Sequence, residues 1–476
     1  MNKILRVLAA LTAVSAVLSG ISCSKKKDEN SSVSEIPEIA EETYAEYNEA
    51  EEDSGEDMFI TWLGDYDLNP YGSDERSVAL ALYEDVYGGT INFMYTTDKD
   101  KFETLDTLLA SGFEIDMFPY SADVFPYGAV KNKFAPLDPY YKELGMDDFI
   151  WEDMKDVIDM FEYNGEHYVV PYSISNPLLI TYSRAMIKEN ELDDPYTLYT
   201  DGKWNWNSFM NIMEAYKEKN PSGYGINGWF GQAMLQSTGH TVINCENGTF
   251  TNNINDPEIE KAEHLMQDIV SKGLYDSTYK ACFPTDRNTL FYAMGDWALG
   301  ASNARNPEAD LMIVPFPKAP DADRYYTGCD FQARMLVNGS AKGKAVATYL
   351  KCERLAASEA SYKETAKEQA LAVKKATDTL VTSYVTEEQY DALQSYLNTR
   401  SFSPVFDFGC GMGEKMFSNG YYTYESRGVM NNITDAILEG HQFPAEPSEE
   451  DAPADYWKAL RGEMSGIIDA EISAMS

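Results

Sequence analysis

From Met58 onward the chain alternates strand-like and helix-like runs, and this alternation constrains its fold more than any other feature. "MFITW" (Met58–Trp62) is a short apolar run followed by a polar loop, "LGDYD". "DERSVALALYEDVYGG" carries apolar residues at helical spacing and stops at Gly88-Gly89, and "TINFMYTT" is the next strand. "DKDKFETLDTLLASG" repeats the helix-then-glycine pattern, and "FEIDMF" is a third strand. Alternation of this kind predicts a largely parallel α/β sheet with ligand loops at the C-terminal ends of its strands.

Further along, "NGEHYVVPYSISNPLLITYSR" (Asn164–Arg184) reads as a turn and strand, a proline-punctuated crossing, and a second strand. Helices are expected over Trp206–Asn220 and Asp256–Lys272. A strand is expected in "DRNTLFYAMGDWALGASNAR", with Trp297 inside it, and another in "DLMIVPFPKAP". "ARMLVNGSAKGKAVATYLKCERLAA" reads as strand then helix, and the rest is mostly helical. At 476 residues the chain is too long for one ordinary domain.

The N-terminus has a different character. Lys3 and Arg6 precede the apolar run "VLAALTAVSAVL", which ends in the small residues of "SGISC". The run is too short to span a bilayer stably and fits the apolar core of an export signal. Cys23, just after the small residues, is the expected lipidation site, although Gly20 stands where a lipobox usually has Leu. Residues 1–22 are then a signal peptide. Residues 23–57, acidic and poor in apolar residues, form a lipidated cysteine and a disordered spacer.

A formal net charge of −40 repels phosphates, so nucleic acid is excluded as a partner. Cys245, Cys282, Cys329, Cys352 and Cys410 are scattered, with no C-x-x-C pair and no His at ligand spacing, so neither a metal nor any other cofactor is expected. No G-x-S-x-G, H-E-x-x-H or P-loop occurs, and His167, His240, His264 and His441 lack partner spacing.

Acids and aromatic rings share loops instead, as in "WLGDYD" and "FEIDMFPYSADVFPYG". Sugars present hydroxyls at the ring edge and C–H groups on the ring faces, so carboxylates and aromatic platforms suit them. Each carboxylate–hydroxyl bond is worth about 1.5–3 kcal/mol. The same acids could serve a glycoside hydrolase, which needs two carboxylates roughly 5–10 Å apart. Asp65 with Asp123 is one such pair, but in so acidic a chain pairs arise by chance. A peptide or polyamine would also suit acids and rings.

In order and over nearly the whole mature chain, these segments resemble the family 1 extracellular solute-binding proteins of ABC importers, the group that includes maltose-binding proteins. "ETLDTLLASGFEIDMF" resembles the family's helix, glycine, and strand ending in Asp. "FAPLDPY" resembles its "l-x-pLd" segment, and "EYNGEHYVVPYSISNPLLITYSRAMIKE" its "G-k-x-y-g-x-P…l-x-YN" crossing. "KWNWNSFMNIMEAYKE" is similar to "TW-[DE]-E", and "RNTLFYAMGDWALGAS" to "F-x-x-G-x-x-A-M", with Leu299 in place of the Met.

The resemblance implies a two-lobed, periplasmic-binding-protein-like α/β fold, each lobe a mostly parallel sheet flanked by helices. It implies lobe 1 from 58–170 plus 315–398, and lobe 2 from 171–314 plus 399–476, joined by a hinge. The expected function is capture of a carbohydrate, an oligosaccharide by the wealth of rings (33 Tyr), in the cleft between the lobes. Delivery would be to the membrane subunits of an ABC transporter, by a monomer anchored on the outer face of the cell membrane and without catalysis. The candidate ligand residues are Trp62, Asp65, Tyr66, Asp67, Asp116, Tyr120 and Asp123 from the first lobe's loops. Tyr172, Trp229, Gln232, Asn303, Arg305 and Asp330 complete the set. Trp204 and Trp206 are expected to anchor a helix start.

Overall fold

A computed structural model describes residues 58–71, 76–121, 124–228, 230–278, 288–377, 379–407, 412, 428–439 and 456–475. The expected signal peptide, Cys23 and spacer, together with Cys282, Cys410, Asp123 and Trp229, lie outside the described residues.

The main elements, in chain order, begin with β1 (Phe59–Gly64), α1 (Val78–Asp85), β2 (Thr90–Tyr95), α2 (Lys101–Ala110) and β3 (Met117–Pro119). β4 (Leu179–Ser183), α3 (Trp206–Lys219), β5 (Tyr224–Gly228), α4 (Pro257–Ser271), β6 (Thr289–Met294) and β7 (Leu311–Pro315) follow. β8 (Arg334–Leu336), α5 (Gly343–Ser358), α6 (Glu387–Tyr396), α7 (Val429–Glu439) and α8 (Tyr456–Met475) complete the set. Local chemistry accounts for many of the boundaries. The Ser77 hydroxyl accepts from Leu80 N at the start of α1, and Asp256 caps α4 with Pro257 in its first turn. Asn205 caps α3 through the amides of Asn207 and Ser208.

The chain divides into two compact units. Of the described residues, unit 1 comprises those up to 120, in 131–173 and in 332–369, and unit 2 those in 121–130, 174–331 and from 370 on. Four spans fall differently from the expected lobes, the shortest being residues 171–173, which go with unit 1. Residues 315–331 go with unit 2, where Tyr325–Gly328 pairs in parallel with Phe402–Val405 and Leu178 N donates to Gly328 O at 2.8 Å. Residues 370–398 also go with unit 2, because α6 is bonded to β7: Gln389 Nε2 donates to Leu311 O (2.6 Å) and Tyr396 OH to Ile313 O (3.1 Å). The short excursion 121–130 belongs there too, with the Phe125 ring 6.3 Å from that of Phe250.

In unit 1 the sheet order is β8-β3-β1-β2. β1 is parallel to β2 and β3, whereas β8 runs antiparallel to β3, with Arg334 opposite Pro119. Trp62, Leu63, Leu80, Tyr83, Phe118, Trp151 and Tyr349 fill the core. Arg354 on α5 donates to the carbonyls of Ile150 (2.6 Å) and Tyr172 (2.9 Å) and pairs with Asp153.

In unit 2 the order is β7-β4-β6-β5. β5 and β6 are parallel, and β4 is antiparallel to both of its neighbours. Each sheet is therefore mixed α/β, with one strand reversed against three that share a direction. Trp204, Phe209 and Phe291 form the aromatic centre of this unit, with ring centroids 5.3–6.0 Å apart. Trp204 Nε1 donates to Pro315 O at 2.8 Å and Trp206 Nε1 to Ser237 Oγ at 3.2 Å, so both tryptophans anchor the start of α3. α7 packs against α4 and α8. Among the described residues no helix is long and apolar enough to cross a membrane.

Candidate functional site

In unit 1 the loop after β1 leaves the sheet at the C-terminal end of its parallel strands. Asp65, Tyr66 and Asp67 are all solvent-exposed there. Trp62 is not. Its ring is 0 % exposed, and its Nε1 donates to Tyr66 O at 2.9 Å, making it the base of the loop rather than a ligand platform. Gly64 is required beside it, because a Cβ at that position would lie 2.6 Å from the indole ring. Asp67 accepts from the Asn69 backbone N (2.9 Å) and side-chain Nδ2 (2.8 Å) within the loop.

Asp116 is 3 % exposed and accepts from Thr61 N (2.7 Å) and Ser340 Oγ (2.6 Å). It is a strand-end clamp with no free face for a ligand. Tyr120, half-buried, presents its ring edge-on to Phe161 at 6.3 Å. Tyr172 is buried under the guanidinium of Arg334, 5.9 Å away, and burial pushes its phenol pKa well up.

In unit 2, Gln232 is half-buried on the helix Phe230–Gln236, just past Gly228. Gly228 ends β5 at φ +96°, where a Cβ would lie 2.2 Å from Ala293 O. Asn303 and Arg305 fall on the helix Leu299–Arg305. Asn303 is buried, with Nδ2 donating to Tyr384 O (3.0 Å) and Gln389 Oε1 (2.8 Å), and its Oδ1 accepts from Gln389 Nε2 (3.2 Å). Its amide is spent on holding α6. Arg305 is exposed at the helix end. Asp330 is exposed and accepts from Asn176 Nδ2 at 3.1 Å.

Two neighbouring residues lie outside the candidate set: Asp296, not singled out from the sequence, and Trp297, expected as a core residue within a strand. β6 stops at Met294, so Trp297 is not inside a strand but on the tight turn Asp296–Ala298 that follows. Its half-exposed ring packs on Tyr292, Met294 and Ala298. The Oδ1 atom of Asp296 is buried and has no hydrogen-bond partner among the described residues. Burial pushes the Asp296 carboxyl up to about 6 against the pull of the Asp296 and Trp297 backbone N–H groups, with the Asp330 charge adding to the rise. The signal was present in "GDW": a glycine, an acid and a ring closing an apolar run, the same signature that singles out "LGDY".

Among the described residues no group of three or more His, Cys, Asp or Glu is arranged to hold a metal. His167 Nδ1 lies 2.9 Å from Asp138 and His240 Nδ1 2.9 Å from Asp256, each within its own unit. Cys329 and Cys352 are free thiols.

Two α/β units with acids and rings on the loops at their strand ends define a protein built to hold a small solute. The chain belongs to a family of bacterial extracellular solute-binding proteins, whose model matches residues 79–382. No curated protein matches it at the sequence level. Its fold is similar to that of the cyclic alpha-maltosyl-1,6-maltose binding protein from Arthrobacter globiformis, at TM-score 0.57 and 14 % identity, covering 87 % of this chain and 100 % of that one. The sugar-binding protein MalE from Xanthomonas citri is similar at TM-score 0.57 and 13 % identity, over 87 % of this chain and 98 % of the other. UgpB from Mycobacterium tuberculosis in complex with glycerophosphocholine is similar at TM-score 0.53 and 15 % identity, over 83 % and 94 %.

Proposed function

We propose that this protein captures a carbohydrate, an oligosaccharide in particular, and delivers it to the membrane subunits of an ABC transporter without altering it. The observation that carries this reading is the pairing of Asp296 with Trp297. A buried carboxylate oxygen that finds no donor among the described residues stands beside a partly buried indole ring just past β6. A sugar offers both complements, a hydroxyl for the oxygen and a C–H face for the ring. Asp65, Tyr66 and Asp67 repeat the combination on the loop after β1, and two of the structural relatives are sugar-binding proteins. Tyr120, Asp123, Trp229, Gln232, Arg305 and Asp330 are the further ligand contacts of this reading. Cys23 is its lipid attachment point, which would hold the protein as a monomer on the outer face of the cell membrane.

Calorimetric titration of the full-length protein with maltotriose, β-1,6-galactobiose, lacto-N-biose and glycerophosphocholine tests this, each mixture then being checked by chromatography for cleavage. Micromolar or tighter binding of an intact sugar supports the reading. Shortened products would replace it with a glycoside hydrolase, and binding of glycerophosphocholine alone would move the ligand class.

A further inference from the structure

Tyr66 is 36 % exposed, yet it is gripped from below at two points. Its main-chain carbonyl accepts from Trp62 Nε1 at 2.9 Å, and its phenol oxygen accepts from Arg334 Nη1 at 2.7 Å. Arg334 comes from β8, 268 residues further along, and is only 5 % exposed. Its guanidinium lies 4.9 Å over the Trp62 ring and 5.8 Å over the Tyr66 ring, while Nη2 donates to Glu353 at 3.0 Å. Glu353 supplies the countercharge that so buried a cation requires.

The polarity of the Tyr66–Arg334 bond follows from chemistry. A guanidinium has five N–H donors and no acceptor, so the phenol oxygen can only accept from it. The phenol's own proton must therefore go elsewhere, and among the described residues it has no protein acceptor. Accepting a charge-assisted bond also polarises the O–H and makes it a stronger donor.

We propose that Arg334 is a positioning residue that commits Tyr66 to donate its hydroxyl proton to the ligand. Tyr66 then requires an acceptor oxygen on the ligand, whether ring, glycosidic or hydroxyl, while the flanking Asp65 and Asp67 accept hydrogen bonds from ligand hydroxyls. This rests on the carbohydrate reading. The division of labour sets the ligand class more narrowly than acidity alone: an acceptor oxygen flanked by hydroxyls, not an ammonium group, which has no lone pair to accept from Tyr66. Lysine would not replace Arg334. An ammonium cannot stack flat over Trp62 while bonding in a fork to Tyr66 and Glu353.

The test is a double-mutant cycle on the full-length protein, with maltotriose binding read by calorimetry for wild type, Tyr66→Phe, Arg334→Met, Arg334→Lys and the Tyr66→Phe/Arg334→Met double variant. Each single variant is expected to weaken binding by about tenfold, with Lys no better than Met and no further loss in the double variant. Equal, multiplying losses in both backgrounds would mean that Arg334 acts as general scaffolding, and unchanged affinity in Arg334→Met would likewise overturn the proposal. A second measurement needs neither ligand nor an Arg334 variant: the Raman tyrosine doublet of wild type minus Tyr66→Phe. A pattern of an accepting phenol is expected, and a donor-only pattern would overturn the proposal whatever the sugars do. If maltotriose, β-1,6-galactobiose and lacto-N-biose all fail to bind wild type, the carbohydrate reading falls and the ligand half of the proposal falls with it. The Raman result still decides the polarity of the Tyr66–Arg334 bond.

Discussion

Replacing Asp116 with alanine separates a structural acid from a ligand-binding one. The carboxylate accepts two bonds, from Thr61 N at 2.7 Å and Ser340 Oγ at 2.6 Å, inside a site that is 3 % exposed. Each is a bond to a charged acceptor, worth about 1.5–3 kcal/mol. The two losses are unequal. Ser340 is only part-buried and can turn its hydroxyl to water, whereas Thr61 N belongs to a buried residue of β1, shielded from water. The net loss for Asp116→Ala should therefore be about 2–4 kcal/mol, dominated by the orphaned amide. Asp116→Asn keeps one acceptor oxygen but loses its charge, and should cost about 1–2 kcal/mol. Urea unfolding of the full-length protein measures the total, and hydrogen exchange at the Thr61 amide reads unit 1 by itself, faster by roughly 30- to 1,000-fold in the alanine variant. A loss below about 0.5 kcal/mol with unchanged Thr61 exchange would refute the clamp, and a fall in sugar affinity in that same variant would return Asp116 to the ligand site.

Gly64→Ala should force the Trp62 ring out of its seat and destabilise unit 1 by about 1–3 kcal/mol, visible as a red shift in tryptophan emission and a lower Tm. Because burial holds the Asp296 carboxyl near 6, sugar affinity should weaken as pH falls through that value, by up to about tenfold per pH unit below it; Asp296→Asn should bind more weakly at pH 7.5 and lose this dependence. Glu263 on α4 is buried, with Arg461 Nη1 of α8 2.9 Å from one oxygen and Glu260, His264 and Lys458 close by. Burial raises its carboxyl from 4.5 to about 7, so the folded state holds the proton more tightly than the unfolded one, and its contribution, complete below pH 4.5, is lost as pH rises to about 7. Glu263→Gln should abolish that slope and raise stability at pH 8 by about 1–3 kcal/mol, measured as Tm against pH beside wild type.

What was readable in advance was local. The helices α1, α2, α3 and α4 lie within the helical stretches that apolar spacing marks out, because that spacing depends on residues within a few positions of one another. The proposal of a ligand loop after β1 rests on local pattern too, since acids and rings sit side by side in "GDYD". The placing of Trp297 within a strand failed because an apolar run does not say where it ends, and Gly295 with Asp296 turned the chain three residues earlier than periodicity suggested.

By itself the sequence determined the mixed α/β class, the order of elements and the family, all of which follow from short-range patterning and segment order. Which side chains in a promising loop remain available was decided only in three dimensions. Trp62 and Asp116 look as ready for a ligand as Tyr66 and Asp65, but Arg334, Ser340 and the packed sheet claim them first. Asn303 is claimed in the same way by Gln389, and residues 370–398 join unit 2 because Gln389 and Tyr396 find the carbonyls of β7. Each of these outcomes rests on a bond between residues tens to hundreds of positions apart. Whether a polar atom is satisfied by its own protein or left for a solute depends on partners that no local pattern names.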